Sequence, residues 1–227
     1  MRRALTDGGP GTEFWQAFLA FKKSAWRWEH QPAYYIGYEH HQFDDFLAGC
    51  PQPPTENADL RSWMAQVKRQ THEGKTVGRV RVIDEPPTDY QRWMQWMDAW
   101  NTAAGEIIDY VTRRSALRHG LPATGGDDWW LFDDTRLVVM HHDEVGRRVR
   151  VELVVDEPEV EQARNWRALA IRAAQQEQAD RGVSPSSGPG YQPFRAVTSK
   201  QQESDTALSA LTGTSAADCV QLPAQQG

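Results

Sequence analysis

The chain has 227 residues, 39% of them hydrophobic, 10 tryptophans and a formal net charge of -6. One domain with a sizeable core, plus tails, is the economical expectation. The acidic balance disfavours a general nucleic-acid or anionic-membrane surface, since both need a basic patch. No apolar run approaches the ~18 residues that a spanning helix needs. The two cysteines, Cys50 and Cys219, lie far apart and make no disulfide framework. The start MRRALTDGGPG has no apolar run behind its basic residues, as a signal peptide would. Both features point to the cytoplasm.

Residues 1–11 are Gly-rich and read as a flexible N-terminus. From Thr12 a helical pattern begins, with Phe14, Phe18, Phe21 and Ala25 on one face and Trp15, Leu19 and Trp26 widening the stripe. Ala33–Tyr38 reads as a short strand. Phe43, Phe46 and Leu47 suggest a short helix stopped by Gly49 and the prolines at 51, 53 and 54. Asn57 or Asp59 can cap a second long helix carrying Leu60, Trp63, Met64 and Val67, ending near Gly74.

Val77–Ile83 alternates Val80 and Val82 with Arg79 and Arg81, which predicts a strand. After it, Thr88-Asp89 opens a helix with Trp93, Trp96, Met97 and Trp100 at i, i+3, i+4 and i+7. That spacing suits a helix packed on a sheet better than a tryptophan cage. Ile107–Val111 is a further candidate strand. Three strand-like runs follow in quick succession, Trp129–Phe132, Leu137–His141 and Val149–Val155, parted by turns at Asp133-Asp134 and Glu144-Val145-Gly146. The last helix carries Val160, Ala163, Trp166, Ala170 and Ala173. Beyond Gly182 the chain turns to Ser, Pro, Gly and Gln, a composition that cannot bury enough apolar surface to offset ordering. Residues 183–227 are therefore expected to be a disordered tail and residues 12–182 a single domain. The expected fold is α/β or α+β: a mixed sheet of about five or six strands under aromatic-rich helices.

Several segments in this order resemble an actinobacterial family of uncharacterised domains: FLAFKKSAWRWEHQPAYYIGYE, FDDFLAG, SWMAQVK, GRVRVIDEPPTDYQRW, NTAAGE and DDWWLFDD. The resemblance spans roughly residues 14–175 and implies a single domain, found near helix-turn-helix regulators. A more distant similarity is to phospholipase-D-like domains, whose active members carry His-x-Lys-x-x-x-x-Asp on a late strand. Here GDDWWLFDD occupies that stretch, so Asp133 or Asp134 matches the Asp. Gly126 or Asp127 stands at the His position, and Asp128 or Trp129 at the Lys position. The similarity thus implies a degenerate domain without the nucleophile.

The densest polar cluster in the sequence is Asp127, Asp128, Asp133, Asp134 and His141-His142-Asp143. One histidine with carboxylates from the adjacent hairpin could hold a divalent cation and activate water. His40-His41 with Asp44-Asp45 offers a second set, although neither matches a recognised metal spacing. His141, His40 and Asp44 are the candidate ligands, and no other cofactor is indicated. The bland reading is that the aspartates make turns and caps. Glu106 and Glu39 are candidate pocket carboxylates. Arg79, Arg81, Arg148 and Arg150 would form a basic stripe if paired strands bring them together, or cross-strand acids would neutralise them. Taken together, the sequence favours a non-catalytic regulatory or interaction module with a protein partner such as a helix-turn-helix regulator, or a small-ligand sensor. The alternative is a metal-dependent hydrolase or phosphodiesterase using the Asp/His cluster.

Overall fold

The computed structural model describes residues 2–124, 126–180 and 182. In chain order the elements are β1 (Arg2–Ala4), α1 (Glu13–Ala20), β2 (Ser24–Glu29), α2 (His40–Leu47), α3 (Ala58–His72), β3 (Thr76–Ile83) and α4 (Asp89–Ala103). There follow β4 (Ile107–Thr112), α5 (Arg113–Arg118), β5 (Asp128–Phe132), β6 (Arg136–His142), β7 (Arg148–Val154) and α6 (Glu157–Asp180). Short 3-10 turns at Gly37–Glu39 and Pro54–Glu56 precede α2 and α3. Among the described residues no helix is long and apolar enough to cross a membrane. The segment 183–227, expected to be a disordered tail, lies outside the described residues.

The strands form one open mixed sheet in the order β1-β7-β6-β5-β2-β3-β4. β2, β3 and β4 run parallel, while the other pairs are antiparallel. The sheet has seven strands, not five or six. Ala33–Tyr38 forms no strand, and two strands appear where none was expected. One is β1, where Arg2–Ala4, read from the sequence as part of a flexible segment, pair with Glu152–Val154. The other is β2, which the sequence reading had absorbed into the first helix. The aromatic residues Trp26 and Trp28 continue the stripe of α1, but the period changes there from 3.6 to 2. The carboxylate of Asp133 fixes the change of direction by accepting backbone N–H groups from Lys22, Lys23 and Ser24.

Period-two alternation sorts β2 into two faces. Trp26 and Trp28 face α6, joining Val80, Val82, Trp129, Leu131 and the α6 residues Val160, Ala163, Ala170 and Ala173. Ala25, Arg27 and Glu29 take the opposite face. There Ala25 packs with Phe18, Met64, Trp130, Phe132 and Val138 under α1 and α3. A third cluster joins α2 to α4 through Phe43, Phe46, Tyr90, Trp93 and Trp96. Local signals set the helix starts. Asn57 Oδ1 accepts from Asp59 and Leu60 N–H, and Thr88 with Gln91 makes a reciprocal capping box for α4.

Candidate functional site

The polar cluster read from the sequence divides into separate groups. Asp133 and Asp134 form the β5–β6 turn, both with positive φ (53° and 60°), a conformation that Asp tolerates better than most residues. Burial disfavours the Asp133 carboxylate, but the backbone donors of Lys23, Ser24 and Lys22 outweigh it and hold its pKa below the ordinary value. Asp134 accepts from Arg167 of α6, whose neighbour Arg164 donates to the Asp134 carbonyl at 2.7 Å. His141 is held between two carboxylates, with Nδ1 2.9 Å from Asp127 Oδ1 and Nε2 2.9 Å from Glu152 Oε2. Each ring nitrogen of His141 thus has a carboxylate as its neighbour. His40 stacks edge-on against Tyr35 with centroids 4.3 Å apart, and Asp44 is exposed. Among the described residues no group of three or more His, Cys, Asp or Glu side chains could hold a metal ion. Cys50 is not a free thiol, so the cysteines carry no argument for a reducing compartment.

The four arginines do not make one stripe. Arg79 and Arg81 lie on β3, and Arg148 and Arg150 on β7, with β2, β5 and β6 between them. Arg148 is paired with Asp7 and Arg150 with Glu152 near the surface. Arg79 and Arg81 are buried, and they belong to an ion network that sequence reasoning met only in part.

That network occupies the α4 side of the sheet, at the C-terminal halves of β2 and β3. Glu29 is its hub. Its carboxylate lies 3.3 Å from Arg27 Nη2, 3.1 Å from Arg79 Nη1 and 3.2 Å from Arg81 Nε. Three further acids complete the pairing. Arg79 donates from Nε to Glu106 Oε1 at 2.6 Å, Arg81 Nη2 is 3.2 Å from Asp98 Oδ1 of α4, and Arg27 Nη2 is 3.1 Å from Asp128 Oδ2. The register explains the arrangement, since Arg27 pairs with Arg79, Glu29 with Arg81 and Arg81 with Tyr110 across parallel strands. Tyr110 donates to Asp98, and Tyr34 to Asp128. The indole of Trp130 lies 5.9 Å from the Arg27 guanidinium carbon and 5.8 Å from that of Arg79, within cation–π range.

The charges set each other's protonation. Burial opposes the ionised form of Glu29, yet Arg27, Arg81 and Arg79 win and hold its pKa below the ordinary value. Burial likewise opposes Asp128, but the His30 hydrogen bond and the Arg27 charge hold it well below the usual carboxylate range. His30 contributes twice, through its backbone N–H at 3.1 Å and through Nδ1 at 2.8 Å from Asp128 Oδ1, the latter an ion-pair distance rather than an aligned hydrogen bond. Glu106 goes the other way: burial outweighs Arg79, and its pKa is raised. Among the described residues Arg27 Nε, Arg81 Nε, Arg81 Nη1 and Glu106 Oε2 have no aligned hydrogen-bond partner. Such a network costs desolvation and repays it by fixing geometry. Glu29, Asp98 and Asp128 are committed to guanidinium groups, as is one oxygen of Glu106.

Glu39 sits at the edge of this network. It is 7% exposed and accepts a 2.6 Å hydrogen bond from the Tyr90 hydroxyl. Burial pushes its pKa up to about 7.

Of the sequence-level candidates, the structure brings Arg79, Arg81, Glu106 and Asp128 into one network, and Asp127 with His141 into another cluster. Arg27, Glu29 and Asp98 were missed. The first two are charges at alternate positions of a tryptophan-rich strand, and Asp98 and Asn101 are polar residues at i, i+3 on an aromatic helix. Both patterns are legible once β2 is known to be a strand.

Comparison with curated proteins yields no match. The family model for a domain of unknown function, DUF6879, matches residues 12–179, and the chain belongs to that family.

Proposed function

We propose that this domain is a non-catalytic interaction module whose partner is a protein, a helix-turn-helix regulator. One observation carries the reading: the acids and the histidine of the sequence's densest polar cluster are spent on structural contacts. His141 is clamped by Asp127 and Glu152, Asp133 caps the start of β2, and Asp128 is paired with Arg27 inside the fold. A general acid or base must reach a substrate proton, and a covalent mechanism needs an activated nucleophile. The sequence resemblance to phospholipase-D-like domains in which the His and Lys positions are not kept supports the same reading. The resemblance to domains found near helix-turn-helix regulators supports that partner class.

The test is co-elution of the purified full chain with helix-turn-helix regulators from the same genome. The complex should survive His141→Ala and Asp127→Ala and weaken when residues 183–227 are removed. Stoichiometric metal in the purified protein, or phosphodiester hydrolysis abolished by His141→Ala, would overturn the proposal.

A further inference from the structure

Five acidic side chains are buried in the described part of the fold: Glu29, Glu39, Asp98, Glu106 and Asp128. Four of them have an arginine nitrogen within 3.3 Å. Among the described residues Glu39 alone has none, and its one hydrogen-bond partner is the Tyr90 phenol. It is also placed at a junction, as the residue from which α2 starts. Four positions on, Phe43 lies on the same helix face and touches the Tyr90 and Trp93 rings, at 5.3 and 5.5 Å between centroids. Phe46 then reaches Trp96 at 6.1 Å. α2 is thus joined to α4 by a short aromatic row with a carboxyl group at its inner end.

The elements around Glu39 do not neutralise it. β2 presents Glu29, which repels a negative charge, and Arg27, which attracts it. Arg81 of β3 also attracts it, and Tyr90 of α4 donates to it. Arg27 and Arg81 are already committed to Glu29, Asp98 and Asp128. On its own segment, Tyr38 precedes it, with Asp59 of α3 acting on that phenol. His40 follows and faces Tyr35, and His41 is paired with Asp45.

We propose that α2 is a pH-responsive flap: loss of the Glu39 proton loosens α2 from α4 and uncovers the aromatic face of Tyr90, Trp93 and Trp96. The protonated carboxyl fits its buried place as a neutral group. The carboxylate has no cation of its own there, and water would solvate it if the helix swung out. A helix of only eight residues has little intrinsic stability to hold it in place without those contacts.

The size of the effect follows from linkage. Burial holds Glu39 at about 7 against an ordinary value of 4.5. If the open state restores the ordinary value, the open-to-closed ratio rises roughly 50-fold between about pH 5 and about pH 7.5.

Amide hydrogen exchange on the full chain, corrected for intrinsic rates at each pH, reads this ratio. Protection of the α2 amides should fall by that factor as pH rises, and at every pH α2 should open at a lower free energy than the α3 and β3 amides. Glu39→Gln should flatten the α2 response. Tyr90→Phe removes a bond that favours the charged form, so it should shift the transition to higher pH, and it provides a second test if Glu39→Gln fails to fold. PH-independent protection of α2, or an equal fall in Glu39→Gln, would overturn the proposal.

Discussion

Glu29 and Arg79 lie on adjacent parallel strands with a 3.1 Å ion pair between them, and both side chains are almost wholly buried. Because Arg27 and Arg81 also rely on Glu29, one neutralising change takes an acid from three guanidinium groups, leaving each with one: Asp128, Glu106 or Asp98. Glu29→Gln should therefore cost up to about 3–5 kcal/mol, the range for removing one partner from a buried ion pair. Urea unfolding checks this: the midpoint should drop while the slope stays the same.

The turn aspartates are not equivalent. Asp133→Ala leaves the N–H groups of Lys22, Lys23 and Ser24 without their acceptor and also places Ala at φ 53°. A loss of roughly 2–3 kcal/mol is expected from those two costs. Asp134→Ala gives up a partly exposed pair with Arg167 and should cost about half as much, mostly from the left-handed backbone. Thermal melts of the two variants side by side decide it.

Gly146, at the β6–β7 turn, has φ 79°, and a Cβ there would come within 2.3 Å of the Ala33 carbonyl oxygen. The Gly146 carbonyl also accepts from Tyr35 N–H at 3.0 Å, so the turn and the loop after β2 hold each other. Gly120 has a similar φ of 71° but open space around its missing Cβ. Gly120→Ala should cost only the backbone strain, about 1–2 kcal/mol. Gly146→Ala should cost clearly more and raise hydrogen exchange at Tyr35. Equal losses would mean that the contact with Ala33 carries no energy.

Stability should peak on the acid side of neutrality. Glu39 is raised in the fold, so its contribution is fully present below pH 4.5 and fades as pH climbs to 7, by on the order of 3 kcal/mol. Asp128 and Asp133 are lowered, so theirs is present above their ordinary value of 3.8 and fades as pH falls below it. Urea melts across pH should trace both limbs. Glu39→Gln should shrink the neutral limb, leaving the part due to the raised Glu106, and should not change the acid one.

Much of the fold was legible from hydrophobic period. The β5–β7 meander shows itself because half-buried antiparallel strands alternate cleanly and acidic or Gly turns punctuate them. α3 and α4 show themselves by their caps, Asn57 and Thr88. β2 did not, because Trp26 and Trp28 prolong an aromatic pattern begun on α1, and no Gly or Pro marks the break. What stops the helix is Asp133, a residue 109 positions from Ser24 in the chain, which no local window contains. The buried network was missed for the same reason. Arg79 and Arg81 read as a possible exposed stripe until β2 supplies Glu29 beside them and α4 supplies Asp98 above them. Glu106 read as an isolated carboxylate until Arg79 was placed against it.

The position of β2 inside the sheet, between β5 and β3, also governs the order in which the protein can assemble. Its parallel neighbour β3 arrives about fifty residues later in the chain, and its antiparallel neighbour β5 only after another fifty or so, as Trp28 meeting Trp129 illustrates. During synthesis the N-terminal half thus emerges with a tryptophan-bearing strand that lacks one partner. Long-range pairings of this kind slow folding and leave strand edges exposed meanwhile. The β5–β7 meander can form locally as soon as it is made, and its docking onto β2 then closes the sheet.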